Sequence, residues 1–222
     1  MKENREILIE ILSVLNNEEL LEKVVIVGSW AVYFYQFIYQ DFEVNVRTTD
    51  IDFYVPSPTN FKEKSSLIKA FKDINYDLRI DTLTNKVVFF SPDEFELEFI
   101  TGLTRQNFPT VRLGNTSIYA ESLPHLHLFN HYQLKYQFEG MQVTLASPPA
   151  YLIQKLLIIH KRKSKATKDV ESLMNVLNYI ITHPSLLGEL KMIILGLSKA
   201  AKKTILENSN NFRIMQIIQF IR

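Results

Sequence analysis

Apolar residues recur three and four apart at Ile7, Leu8, Ile11, Leu12 and Leu15, and Asn16-Asn17 follow. That spacing predicts an amphipathic opening helix lying on a core. KVVIVGSW then reads as a short buried strand closing at Gly28-Ser29, and WAVYFYQFIYQ is long and apolar enough for a buried helix, so Gly28 marks a strand-to-helix turn. TDIDFYV is the next strand, stopped by the prolines of PSPTN. Thr59 or Asn60 is placed there to cap a helix running to about Ile74. LRIDTLT, NKVVFFS and FELEFIT read as further strands separated by Asn-Lys and Ser-Pro-Asp turn signals, and LKYQFEGMQVTLAS as a hairpin about Glu139-Gly140. Residues 105 to 135, with three histidines and few periodic signals, are the least legible part.

After Ser147-Pro148-Pro149 the pattern is helical to the end, interrupted mainly at His183-Pro184 and near Asn208 to Asn211. The expected architecture is therefore α/β of the α+β kind: a mixed sheet with helices over 1–147, then a helical bundle over 148–222. A chain of 222 residues, 46% hydrophobic, can bury such a core. Lys and Arg number 25 against 24 Asp and Glu, so anion recognition has to be local. The absence of cysteine excludes disulfides, thiolate metal sites and cysteine nucleophiles. MKENREILIEILSVLNN interleaves acids with its apolar steps, unlike a signal peptide, and no apolar run reaches membrane-spanning length. A soluble, cytoplasmic protein without a membrane partner is the expectation.

The chemistry concentrates at a few places. Asp50 and Asp52 interrupt a strand pattern that disfavours aspartate, and alternation points both to one face while Ile51 and Phe53 point into the core. Two carboxylates that close repel unless a cation lies between them, and Mg²⁺ takes one or two carboxylates plus phosphate oxygens. The pair equally fits a solvated edge residue beside a turn cap. Gly28-Ser29 offers bare amides and a hydroxyl suited to phosphate, though such turns also arise for backbone reasons alone. In EFELEFI the acids alternate again, Glu96 and Glu98 against Phe95, Leu97 and Phe99. That fits a third carboxylate for a metal or a base, or an ordinary half-exposed strand.

In AYLIQKLLIIHKRKSKATKDVESL, Lys155 lies among Leu152, Ile153, Leu156 and Leu157, which implies either snorkelling or an anionic ligand. His160, Lys161, Arg162, Lys163, Lys165 and Lys168 follow as the strongest basic cluster, a solvated face or a contact for a triphosphate or an RNA backbone. His125, His127 and His131 are spaced for a metal, but their apolar neighbours favour packed or surface histidines. Trp30 reads as a core residue of its helix, beside a turn where stacking on a base is also open.

GSW, TDIDFYV some twenty residues on, an alternating acidic strand and a helical K…KxxKD segment together resemble the nucleotidyltransferase superfamily of the DNA polymerase β type. The nearest branch is the AbiEii-like proteins, many of them toxins of toxin-antitoxin pairs. The resemblance runs from about residue 24 to 180. It implies transfer of a nucleoside monophosphate from a nucleoside triphosphate to a hydroxyl of RNA, tRNA or protein. Gly28 and Ser29 would hold the phosphates, and Asp50 and Asp52 would bind Mg²⁺, with a two-metal site possible. Glu98 would be the third acid, with Glu96 as the fallback. Lys155 would contact the triphosphate, Lys165 would join it from the basic segment 155–168 that is also the expected RNA surface, and Asp169 would act as base or orient the lysine. A small-molecule acceptor and an antitoxin partner also belong to that picture. Bulky Trp30 after the turn, and Ser172 where the branch often has a second aspartate, depart from the pattern. A non-catalytic nucleotide- or partner-binding protein of the same fold is the alternative.

Overall fold

The computed structural model describes residues 4–43, 48–91, 94–103, 108–161 and 166–221. In it the first apolar stripe becomes α1 (Asn4–Asn17), with Leu8, Ile11, Leu12 and Leu15 fully buried. β1 (Val25–Val27), buried throughout, passes directly into α2 (Gly28–Ile38), and β2 (Asp50–Tyr54) follows. The helix expected from Thr59 or Asn60 begins later. Residues 58–60 form a single 3-10 turn, and α3 (Leu67–Asp73) starts at Ser66, whose Oγ accepts from the Lys69 amide at 3.3 Å. The intervening residues are held elsewhere: Phe61 is fully buried, and the Ser65 amide donates to the Glu18 carboxylate at 2.8 Å. Those tertiary bonds outweigh local helix preference.

The strands continue as β3 (Asp77–Ile80), β4 (Val87–Phe90), β5 (Glu96–Gly102), β6 (Thr110–Arg112), β7 (Tyr119–Leu123), β8 (Gln133–Phe138) and β9 (Met141–Ala146). The stretch 105–135, silent in sequence, thus contributes β6, β7 and a 3-10 turn at 126–130. The hairpin at Glu139-Gly140 forms as expected, with φ of 49° and 76° and Phe138 opposite Met141. Positive φ at both central residues is what a two-residue turn with the right strand twist requires. Among the described residues nine strands make one mixed sheet in the order β3-β4-β5-β2-β1-β9-β8, with β7 also pairing β5 and β6 pairing β7. One face carries Ile51, Phe53, Phe89, Leu97 and Phe99, all buried, closed by ring contacts such as Phe61–Phe99 at 5.5 Å and Phe71–Phe89 at 4.7 Å. The opposite face of β2 and β5 carries their acids, which positions the candidate site.

Contacts divide the chain into two compact units, Met1–Ala31 with Val46–Ala146, and Val32–Asn45 with Ser147–Arg222. The sheet lies wholly in the first. The second contains α4 (Pro148–Ile158), α5 (Ala166–Thr182), α6 (Pro184–Gly196), α7 (Lys199–Asn211) and α8 (Ile218–Ile221). α4 is buried from Pro148 to Leu157 and packs on α5, α6 and α7, as its largely apolar sequence requires. Pro184 opens α6 as expected, and the break expected near Asn208 to Asn211 falls at the end of that range, where α7 closes at Asn211. Buried Asn208 donates its side-chain amide to the Leu156 carbonyl at 2.7 Å, a tertiary bond that offsets its weak helix propensity. No described helix is long and apolar enough to cross a membrane.

Within the helical unit, Ser147 caps α4 and its hydroxyl donates to the Glu189 carboxylate. Burial raises the Glu189 pKa, and the Ser147 hydrogen bond offsets only part of that. The native state therefore holds this proton more tightly than the unfolded chain, and ionising Glu189 costs stability as pH rises. Glu189→Gln, which can still accept from Ser147, is expected to raise the melting temperature near neutral pH. The gain should vanish below the ordinary glutamate pKa of about 4.3. Thermal melts of both proteins across that range check the sign.

Candidate active site

Strand pairing builds the first part of the site. β1 and β2 are antiparallel with Val27 opposite Asp52, so the residue after Val27 meets the second aspartate. That residue, Gly28, has φ +67°, and a Cβ placed on it would lie 3.2 Å from Asp52 Oδ2. The left-handed backbone favours glycine here, and a Cβ would also require the Asp52 carboxylate to give by a few tenths of an ångström. α2 begins at this point, so the unbonded amides of its first turn belong to Gly28, Ser29 and their successors. Asp50 and Asp52 are half-buried while Ile51 and Phe53 are sealed, so the two carboxylates share a face. The Thr48 hydroxyl donates to Asp50 Oδ1. Trp30 is fully buried and meets the Phe95 ring edge-on at 5.7 Å, which makes it core and leaves no face for a base.

Gly28→Ala is expected to cost about 1–2 kcal/mol from the left-handed backbone alone, and more if Asp52 cannot yield. Chemical denaturation measures that cost.

β5 runs parallel to β2, with Glu96 beside Asp50 and Glu98 beside Asp52. Glu96 is ion-paired with Arg79 at 2.6 Å. Glu98 is ion-paired with Lys86 at 2.8 Å, and the same ammonium reaches Glu121 at 2.6 Å. Among the described residues no group of three or more His, Asp or Glu side chains gathers as metal ligands. His125, His127 and His131 are exposed. The donor set on β2 nonetheless suits Mg²⁺, which is content with one or two carboxylates when phosphate oxygens and water supply the rest. Sequence reasoning missed Thr48, Lys86 and Glu121. For Lys86 a signal existed: it precedes Val88 by two, on the same pleat face, and Val88 pairs with Glu98.

The second unit brings Lys155 and Asp169 together. The ammonium lies 3.3 Å from Asp169 Oδ1, with side-chain exposures of 7% and 9%, so the lysine does not snorkel to solvent. It also lies 5.9 Å from the centre of the Tyr151 ring, and the Tyr151 hydroxyl is 2.9 Å from the Ser172 hydroxyl. Of the basic cluster, His160 and Lys161 are exposed. Lys165, with Arg162 and Lys163, lies outside the described residues.

A glycine turn thus stands against a strand carboxylate on a mixed sheet. A family model described as nucleotidyltransferase matches residues 6–189. The chain belongs to that nucleotidyltransferase family. No curated protein matches the sequence. Among solved structures, an antigenic nucleotidyltransferase-like protein from Paracoccidioides brasiliensis is similar at 14% identity, over 98% of this chain and 91% of that one, with a TM-score of 0.59. At that identity the likeness establishes the fold.

Proposed function

We propose that the protein transfers a nucleoside monophosphate from a nucleoside triphosphate to a hydroxyl, with pyrophosphate leaving, in a Mg²⁺-dependent reaction. The observation that supports this best is the Gly28 turn closed against Asp52. Its amides and the Ser29 hydroxyl can receive phosphate oxygens on one side, while Asp50 and Asp52 offer oxygen ligands to a divalent cation on the other. Such a cation would lower the charge repulsion between acceptor oxygen, phosphates and carboxylates. Asp52 and Asp50 would hold it in place, Thr48 orienting Asp50. Gly28 and Ser29 would fix the phosphates, so that positioning and charge neutralisation provide most of the rate enhancement. The family resemblance assigns triphosphate contact to Lys155. Asp169, at 3.3 Å from that ammonium, then reads as the residue that orients it rather than as a base.

The acceptor we favour is RNA, tRNA in particular, through the basic segment 155–168, with a role as the toxin of a toxin-antitoxin pair of the AbiEii-like kind. Incubation with labelled nucleoside triphosphates, Mg²⁺ and total tRNA should label RNA with the wild type and not with Asp50→Ala/Asp52→Ala. Label on protein or on no macromolecule would refute the RNA acceptor, and nucleotide binding without any turnover would refute transfer. That last outcome is what a non-catalytic nucleotide-binding protein predicts, and one observation favours it: Glu98 is engaged by Lys86 instead of being turned toward Asp50 and Asp52 as a third ligand.

A further inference from the structure

Lys86 is enclosed by carboxylates on the same face of the sheet as Asp50 and Asp52. The register runs from Asp52 to Glu98 to Val88 across β2, β5 and β4, and Glu121 on β7 stands opposite Ile100, two residues beyond Glu98. The side chains at Lys86, Glu98 and Glu121 therefore converge, and the ammonium sits 2.8 Å from Glu98 and 2.6 Å from Glu121. Lys86 and Glu98 also line a cavity of about 430 Å³ with Arg79 and Asp81, wide enough to admit hydrated ions. Two metals that bridge a transferring phosphate stand roughly 3.5–4 Å apart and need carboxylate ligands for both. Here the carboxylate next to Asp52 already faces the Lys86 ammonium.

Resting on the nucleotidyltransferase reading, we propose that Lys86 sets the cation count of the site: Asp50 and Asp52 hold one divalent ion, and the Lys86 ammonium takes the place of a second one at Glu98. Removing that ammonium leaves Glu98 and Glu121 as close, uncompensated carboxylates, which raises affinity for a divalent ion. Lys86 is a positioning and charge-supplying residue in this account, and its signature is metal stoichiometry, which a purely structural ion pair would not move.

The test is a Mn²⁺ titration of the full chain, following free Mn²⁺ by electron paramagnetic resonance. Wild type is expected to bind one ion per chain, lost in Asp50→Asn/Asp52→Asn. Lys86→Met should bind a second ion, or the first roughly tenfold more tightly or better. Adding Glu98→Gln should remove that gain, and Lys86→Arg should behave as wild type. Lys86→Gln, which keeps a hydrogen-bond donor, serves the same purpose if circular dichroism shows that the Met variant does not fold. Two ions in wild type, or identical titrations for wild type and the Lys86 variants, overturn the inference and leave the transfer reading standing. No Mn²⁺ bound by wild type, or binding indifferent to Asp50 and Asp52, overturns the transfer site itself and the inference with it.

Discussion

Asp50→Asn combined with Asp52→Asn is expected to lower nucleotidyl transfer by about a thousandfold or more, the several kcal/mol that a held cation contributes to a transition state of this type. The same variant should fold as well as the wild type. Both aspartates are half-buried on one face of a short strand, and asparagine has nearly the same volume and keeps an oxygen that can accept from Thr48. The contrast makes the prediction sharp: activity falls and the melting temperature holds. Initial rates and thermal melts on one preparation measure both. A loss of activity accompanied by a large loss of stability would instead mean that the two aspartates are structural.

Asp169→Ala is expected to have the largest effect on stability, about 3–5 kcal/mol, because it strips a buried ammonium of the carboxylate that faces it. Lys155 and Asp169 are each almost fully enclosed, and 3.3 Å separates Nζ from Oδ1. The companion variant Lys155→Met/Asp169→Leu should recover most of that loss, since both positions are almost fully enclosed and α4 is buried from Pro148 to Leu157. Under the proposed function transfer should not recover with it, because that reading gives triphosphate contact to Lys155. Urea denaturation gives the stability cycle, and KM for the nucleoside triphosphate separates the roles. An orienting Asp169 predicts a raised KM shared with Lys155→Met, whereas a general base predicts a lowered kcat with a pH profile that loses its acidic limb.

How much of this was legible in the sequence depends on the range of the forces involved. The α1 stripe, the alternation around Ile51 and Phe53, and the Glu139-Gly140 turn are set by neighbours within a few residues, and all three appear where the pattern put them. β6 and β7 are different. Three residues at Thr110–Arg112 carry no periodic signal, and they are strands only because β7 pairs with β5 and offers them an edge. The delayed start of α3 likewise has a distant cause, since Glu18 holding Ser65 is a bond between residues 47 positions apart. At the site, the common face of Asp50 and Asp52 follows from strand alternation and the turn at Gly28 from its dipeptide, whereas the nearness of Gly28 to Asp52 needs the register of β1 on β2. The engagement of Glu98 by Lys86 also requires register, that of β4 on β5 and of β5 on β7 together.

The measurement that bears most directly on the account is the divalent-cation dependence of nucleoside triphosphate binding, by calorimetry with a non-hydrolysable analogue. Wild type should bind the analogue with Mg²⁺ and much more weakly with chelator present, and Asp50→Asn/Asp52→Asn should bind weakly in both conditions. Binding that is equally tight without Mg²⁺, or unchanged when both aspartates are replaced, would contradict a nucleotide site built on the Gly28 turn and β2.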